Sequence, residues 1–113
     1  MRIIFHAHNA PTVSERLLDR AQEALDRIGA RLPRTRDAVV RFAGDGPVRR
    51  VEIALRAPRQ RDVVALGAGK SFGPALTAAL ARLEAQIARV RRLDARVRRA
   101  RVARERARSA LTA

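Results

Sequence analysis

SFGPALTAALARLEAQIARV, residues 71–90, decides the architecture of this chain. Its large apolar residues fall at Phe72, Leu76, Leu80, Leu83, Ile87 and Val90. Steps of three and four bring all six to one side of an α-helix. Ser71 is a suitable N-cap, and Pro74 sits in the first turn, where a missing N–H leaves no helical bond unmade. At about 100° per residue, Arg82, Arg89 and Arg96 line one flank of the same helix. One side of the helix is therefore built to close a core, and the flank beside it presents cations.

The core it closes is predicted by the residues upstream. Residues 2–8 alternate, with Ile3, Phe5 and Ala7 inward and Arg2, Ile4, His6 and His8 on the other face, as in a strand. After the break at Asn9-Ala10-Pro11, either Thr12 (with Glu15 three residues on, a capping box) or Ser14 starts a helix. Its buried side is Leu17, Leu18, Ala21, Leu25, Ile28 and Leu32, and it ends between Gly29 and Pro33. Ala38, Val40 and Phe42 alternate with Val39 and Arg41 in a second strand. Gly44-Asp45-Gly46-Pro47 marks a turn. Val51, Ile53 and Leu55 then form the inner side of the clearest strand. A loop at 57–61 carries Pro58, and residues 62–68 supply a fourth strand with Val64 and Leu66 expected in the core.

The order is β-α-β-β-β-α, an α+β fold. The first crossover implies a parallel, right-handed connection, and the later short loops imply antiparallel neighbours. The result is a four-stranded mixed sheet. Two helices with one apolar side each cover one face of it and point the same way, as in a double-stranded RNA-binding domain.

Composition indicates the kind of partner. The 113 residues make one domain of ordinary size, and a 47% hydrophobic fraction with 3% aromatic gives an aliphatic core. The net charge of +14 and pI near 12 call for a polyanion. All the cations except Lys70 are arginines, whose planar fork suits bidentate phosphate contacts and stacking on bases. Residues 91–113 hold nine arginines against Asp94 and Glu105. The chain therefore divides into a body, 1–92, and an arginine-rich tail, 93–113, expected to continue the second helix beyond the sheet and to be frayed or disordered when free. No cysteine is present, which removes disulfides and thiolate metal sites. The apolar run at the start is too short for a signal peptide, and no stretch reaches the roughly 20 apolar residues of a membrane span, so a cytoplasmic protein is expected.

The first helix repeats the charge layout of the second. Arg16, Arg20, Arg27 and Arg31 share one flank, while Glu15, Asp19 and Asp26 lie toward the other. The like-charge pairs Arg16–Arg20 and Arg27–Arg31 each cost about 0.2–0.5 kcal/mol, partly offset by Glu23–Arg27. Two parallel helices about 10 Å apart would then carry two arginine rows, a layout that favours anion binding over a merely solvated face.

The opening IIFHAHNAPTVSERLL (3–18), the strand RRVEIALRAP (49–58) and the closing GKSFGPALTAALARLEAQIARVRR (69–92) together resemble the ribosome hibernation-promoting factors. These are also known as ribosome-associated inhibitors or ribosomal subunit interface proteins. The resemblance covers roughly residues 1–92. Its most specific part is Leu83-Glu84-Ala85-Gln86-Ile87-Ala88-Arg89, similar to the family's Leu-x-x-Gln-Leu followed by basic residues. It implies a domain that binds the small ribosomal subunit, and the assembled ribosome, in the cleft where messenger and transfer RNA lie, keeping idle ribosomes inactive. The resemblance further implies that Arg27, Arg82, Arg89 and Arg91 stand where relatives carry Lys or Arg. The second helix departs from the family: Ser71-Phe72-Gly73-Pro74-Ala75-Leu76-Thr77 replaces a start like Asp-Met-Tyr-Ala-Ala-Ile-Asp. Lacking the long members' dimerisation domain, the chain is expected to be a short, monomeric form. The candidate RNA-binding residues are Arg16, Arg20, Arg27, Arg31, Lys70, Arg82, Arg89, Arg91 and Arg92.

Three other readings compete. A double-stranded RNA-binding module shares the last five elements, but it uses a lysine-rich start to its second helix where this chain has only Lys70. An enzyme or metal site would begin from His6 and His8, which share a strand face without a third ligand in pattern. Gly67-Ala68-Gly69-Lys70-Ser71 lacks the upstream glycine of a phosphate-binding loop. Membrane binding by the tail is disfavoured because Leu93, Val97 and Val102 do not hold one face. No enzyme activity, metal or cofactor is expected.

Overall fold

The computed structural model describes residues 1–11, 13–32, 34–58 and 61–112. Six elements follow in the expected order: β1 (Arg2–His8), α1 (Glu15–Ala30), β2 (Asp37–Asp45), β3 (Val48–Arg56), β4 (Val63–Gly69) and α2 (Phe72–Thr112). The sheet runs β1-β2-β3-β4, with β1 parallel to β2 and the other two pairings antiparallel. β1 and β4 therefore point the same way. Each is followed by a helix that returns across the sheet, so α1 and α2 are parallel to one another. Their buried residues join the inward residues of the sheet in one cluster.

Local chemistry accounts for the boundaries. Ser14 caps α1, its Oγ accepting the Leu17 N–H at 3.2 Å; Thr12, the other candidate cap, lies outside the described residues. α1 ends at Ala30 with Arg31 as its C-cap, and Pro33 lies outside the described residues. Gly46 takes φ +58° in the tight turn between β2 and β3, a conformation that costs glycine nothing. Arg59 and Gln60, in the expected loop before β4, are likewise outside the described residues.

Strand register arranges the core in rows. Ile3–Ala38–Leu55–Val63, Phe5–Val40–Ile53–Ala65 and Ala7–Phe42–Val51–Gly67 cross the helix-covered face. Val40, Phe42, Val51 and Ile53 are fully buried under Leu25 and Ile28 of α1 and Leu76 and Leu83 of α2. Each such side chain contributes about 1.5–3 kcal/mol. Phe72 seals one end, meeting Phe42 edge-on at 5.7 Å between ring centroids. Ile3 and Phe5 are only half-buried and Ala7 is exposed, because β1 is a sheet edge. Ala7 thus keeps the expected inward facing but lies beyond the cover of the helices. On the uncovered face Ile4, Val39, Ala54 and Val64 form an apolar row, in which Val39 and Ala54 are buried by their neighbours.

β4 reverses the predicted facing. Val64 and Leu66 were expected in the core, yet they stand on the open face, 42% and 54% exposed. Ala65 and Gly67 point at α2 instead. The reason is proximity: a Cβ at Gly67 would overlap the Ala75 carbonyl oxygen and the Ala79 nitrogen. Helix α2 lies almost backbone to backbone on β4, so inward positions there must be small and the large side chains take the other face.

α2 then runs on without interruption through residue 112. Its 41 residues extend about 60 Å at 1.5 Å each, well past strands of seven to nine residues. The molecule measures 68 × 23 × 19 Å. The apolar stripe stays buried through Ile87, Leu80 is half-buried, and Val90 is already 36% exposed where the helix leaves the sheet.

The close approach at Gly67 is testable. Gly67→Val should destabilise the protein by about 1–3 kcal/mol through overpacking, whereas Leu66→Thr on the open face should stay within about 0.5 kcal/mol of the parent. Thermal unfolding followed by circular dichroism measures both. Equal melting of Gly67→Val and the parent would contradict the packing described.

Candidate nucleic-acid interface

The nine predicted residues are all exposed, and the structure sorts them by what they touch. The arginine flank of α1 faces α2. Arg20 donates to the Thr77 hydroxyl and, at 3.5 Å, to the Gly73 carbonyl. Thr77 itself donates to Gly73 O at 3.1 Å. Arg31 pairs with Glu84 at 3.5 Å. These two arginines tie the helices together, and Gly73 and Thr77 in the first turns of α2 supply one half of the tie. Arg16 and Arg27 lie on the same flank and form no hydrogen bond or ion pair with any described residue, so their guanidinium groups remain available.

The second row lies on the opposite side of α2. Arg82 donates to the Leu66 carbonyl, and Gln86 donates to the Val64 carbonyl at 2.8 Å. Both carbonyls belong to the outer edge of β4, where no further strand among the described residues satisfies them. Arg82 therefore closes a sheet edge. Arg89, seven residues on, falls on the same side of the helix and has no partner among the described residues. The two rows thus flank α2: one runs along the seam with α1, the other along the β4 edge. Lys70 stands at the β4–α2 turn, and Arg91 and Arg92 where α2 leaves the body.

Aromatic chemistry is confined to the other end of the molecule, where the Arg49 guanidinium lies 5.9 Å from the Phe72 ring centre. His6 and His8 are exposed on the uncovered sheet face, with His8 Nε2 3.3 Å from the Asn9 amide. Among the described residues no group of three or more His, Cys, Asp or Glu side chains could hold a metal ion. Among those same residues no helix is long and apolar enough to cross a membrane.

Residues not singled out from sequence gather where α2 departs. A cleft of about 1040 Å³ opens between the α1–β2 connection, the start of β4 and the outgoing helix. Arg34, Arg61, Arg98 and Arg101 line it together with Arg91 and Arg92. Residues 34, 61 and 98 are far apart in the chain, and only the sheet topology joins them. The one available sequence signal was the cationic character of each segment separately.

The division between structural and free arginines predicts a division in stability. Replacing Arg82 and Gln86 together by Ala should lower unfolding stability by about 1 kcal/mol, because two edge carbonyls lose their partners. Arg27→Ala with Arg89→Ala should change it by no more than about 0.5 kcal/mol. Urea titration of both double variants measures this, and equal losses would show that Arg82 is as unengaged as Arg89.

The comparisons with known proteins agree with this architecture. A family model described as Sigma 54 modulation protein / S30EA ribosomal protein matches residues 3–99. No curated protein matches the chain. Among solved structures, a ribosomal subunit interface protein from Coxiella burnetii superposes with a TM-score of 0.72 at 15% identity, over 80% of this chain and 98% of that one. The N-terminal domain of Protein Y from Thermus thermophilus superposes with a TM-score of 0.65 at 23% identity, over 80% of this chain and 99% of that one. At these identities the two structures establish the shared fold.

Proposed function

Because the chain belongs to the Sigma 54 modulation protein / S30EA ribosomal protein family, whose members are ribosome-associated factors, we propose that it binds ribosomal RNA of the small subunit and holds idle ribosomes inactive. In this reading a monomer enters the cleft where messenger and transfer RNA lie, in the free small subunit or the assembled ribosome, and blocks translation in the cytoplasm by occupancy. Residues 1–92 are the ribosome-binding body, and residues 93–113 are an arginine-rich arm. No catalytic step and no cofactor enters.

The observation that carries the reading is the family match across the whole body, 3–99. The charge supports it. Arg16 and Arg27 on α1, and Arg89, Arg91 and Arg92 on α2, offer guanidinium groups without intramolecular hydrogen bonds or ion pairs among the described residues. They are mounted on helices that the core holds rigid, and such forks suit RNA phosphates. Arg20, Arg31 and Arg82 support this surface from within by fixing α1 against α2 and α2 against β4. A double-stranded RNA-binding module shares five of the six elements. The paired β1 strand and the absence of a lysine cluster at the start of α2 both depart from it.

Co-sedimentation tests the proposal. The purified protein should pellet with small subunits and assembled ribosomes at moderate salt, and binding should weaken steeply as salt rises because counterions are released. Arg27→Glu with Arg89→Glu should reduce ribosome binding by at least about tenfold, the loss expected when several phosphate contacts disappear, without altering the melting temperature. Failure of the parent protein to pellet, or binding that ignores salt, would defeat the reading. Equal affinity for short RNA duplexes would favour the double-stranded module.

A further inference from the structure

The cleft beneath the outgoing helix is a second cationic feature, distinct from the rows on the helix flanks. Among the described residues, seven arginines line it against a single carboxylate, Asp94. Arg31, at its rim, is engaged by Glu84. The other six, Arg34, Arg61, Arg91, Arg92, Arg98 and Arg101, are exposed and form no hydrogen bond or ion pair with a described residue. They come from three separate places: the α1–β2 connection, the residues before β4, and the projecting part of α2. Six like charges converging on one concavity repel one another, and neither a neighbouring acid row nor the fold's own hydrogen bonds compensates them. A bound polyanion would.

The floor narrows the class of polyanion. The most buried side chains of its lining are Leu55 and Ile87, with half-buried Val63 beside them, so the cleft has a cationic rim over an aliphatic bottom. A duplex presents phosphates and keeps its base faces stacked inside, which leaves such a floor without a partner. A single strand presents phosphates and unstacked bases together, and the usual single-strand groove combines cations along the backbone with flat surfaces under the bases. The protein's three phenylalanines do not line this cleft, so the flat surfaces here are arginine guanidinium planes and the aliphatic floor.

We propose that this cleft binds a single-stranded RNA segment, passed between the body and the projecting part of α2, with Arg34 and Arg61 on one side of its backbone and Arg91, Arg98 and Arg101 on the other. The proposal rests on the RNA-binding part of the reading above and not on the ribosome as the partner. It also gives the arm a defined task. Its first three turns beyond the sheet form one wall of a binding groove.

The test uses the full-length chain and an unstructured RNA oligonucleotide of about twelve nucleotides, within the roughly 4–16 nucleotides typical of single-strand grooves. Fluorescence anisotropy compares this probe with an RNA duplex and with inorganic polyphosphate of matched charge. The triple variant Arg34→Glu, Arg61→Glu, Arg98→Glu should lose at least about tenfold in affinity for the single strand. Its log–log salt slope should fall by roughly 2, at about 0.7 for each phosphate contact removed. A control triple with the same charge change outside the cleft, Arg99→Glu, Arg104→Glu, Arg106→Glu, should lose less than about threefold. Equal losses in the two triples overturn the site, and so does a parent protein that binds duplex or polyphosphate as tightly as the single strand.

Photocrosslinking of a 4-thiouridine strand to the unsubstituted protein gives an answer that needs no variant. Adducts belong in residues 31–35, 61–63 and 87–101, and adducts confined elsewhere overturn the proposal. Ribosome co-sedimentation run in parallel separates the two readings. A parent protein that shows the cleft-dependent RNA binding but does not pellet with ribosomes sustains the cleft and defeats the ribosome assignment. One that pellets without cleft-dependent RNA binding does the reverse.

Discussion

The structure depends on the close approach of α2 to β4 over Gly67. There the helix backbone at Ala75 and Ala79 comes so near the strand that no side chain fits between them. Three consequences follow from this one contact. Inward positions of β4 are reduced to Ala65 and Gly67, so the larger Val64 and Leu66 turn to the open face. Side chains on the outer flank of α2 come within reach of the strand's unpaired edge, and Arg82 and Gln86 satisfy two of its carbonyls. Finally, the contact sets the line along which the helix leaves the body. A bulkier β4 would lift α2, opening the edge to pairing with another chain and swinging the projecting arm away from the loops that face it.

Cations in this protein do two kinds of work. Arg20, Arg31 and Arg82 have partners within the fold, and those partners lie on other elements, so each fastens α2 to a neighbour. On the sheet face, Arg41–Glu52 and Arg50–Asp45 pair across adjacent strands at 3.6 and 3.3 Å. Such exposed pairs contribute little to stability, at most about 1 kcal/mol each. With 25 basic residues against 11 acids, however, most cations can have no acidic partner. The excess is concentrated along α2 and at the ends of the loops beside it. That distribution repels itself in the free protein and is relieved by a polyanion. The excess charge is therefore a cost to the free fold and not a contribution to folding.

How much of this was legible beforehand depended on the kind of signal. Element order, strand pairing and the helix faces were readable because Val51, Ile53, Leu55 and the stripe from Phe72 to Ile87 repeat with a clear period. β4 misled because the pattern rewards large residues. Val64 and Leu66 look like core, while Ala65 and Gly67 carry no apolar signal, although their smallness is what the helix requires. Arg82 was readable as a cation and not as an edge cap, since the carbonyl it meets lies 16 residues upstream on another element. The cleft was not readable at all. Arg34, Arg61 and Arg98 become neighbours only after the mixed sheet places the α1–β2 connection and the start of β4 on the same side of the outgoing helix.

The arm poses a physical problem that the body solves. Beyond Val90 the helix has no core to rest on, and its exposed Leu93, Val97 and Val102 do not share a stripe. Arginines crowd at 98, 99 and 101. An isolated peptide of that composition would form helix poorly, because nucleation is costly and like charges repel. In the intact chain nucleation has already occurred: residues 72–87 are held helical by burial, and each added turn only propagates. Propagation from a rigid base gives the arm a direction as well as a conformation, and it holds in place charges that would disfavour the helix in isolation. An arm hinged on a flexible linker would lose its alignment with Arg34 and Arg61, and a shorter helix would leave the cleft without its second wall. Continuity of α2 through Val90 is thus what joins the packing of Gly67, deep in the body, to the geometry of the cleft outside it.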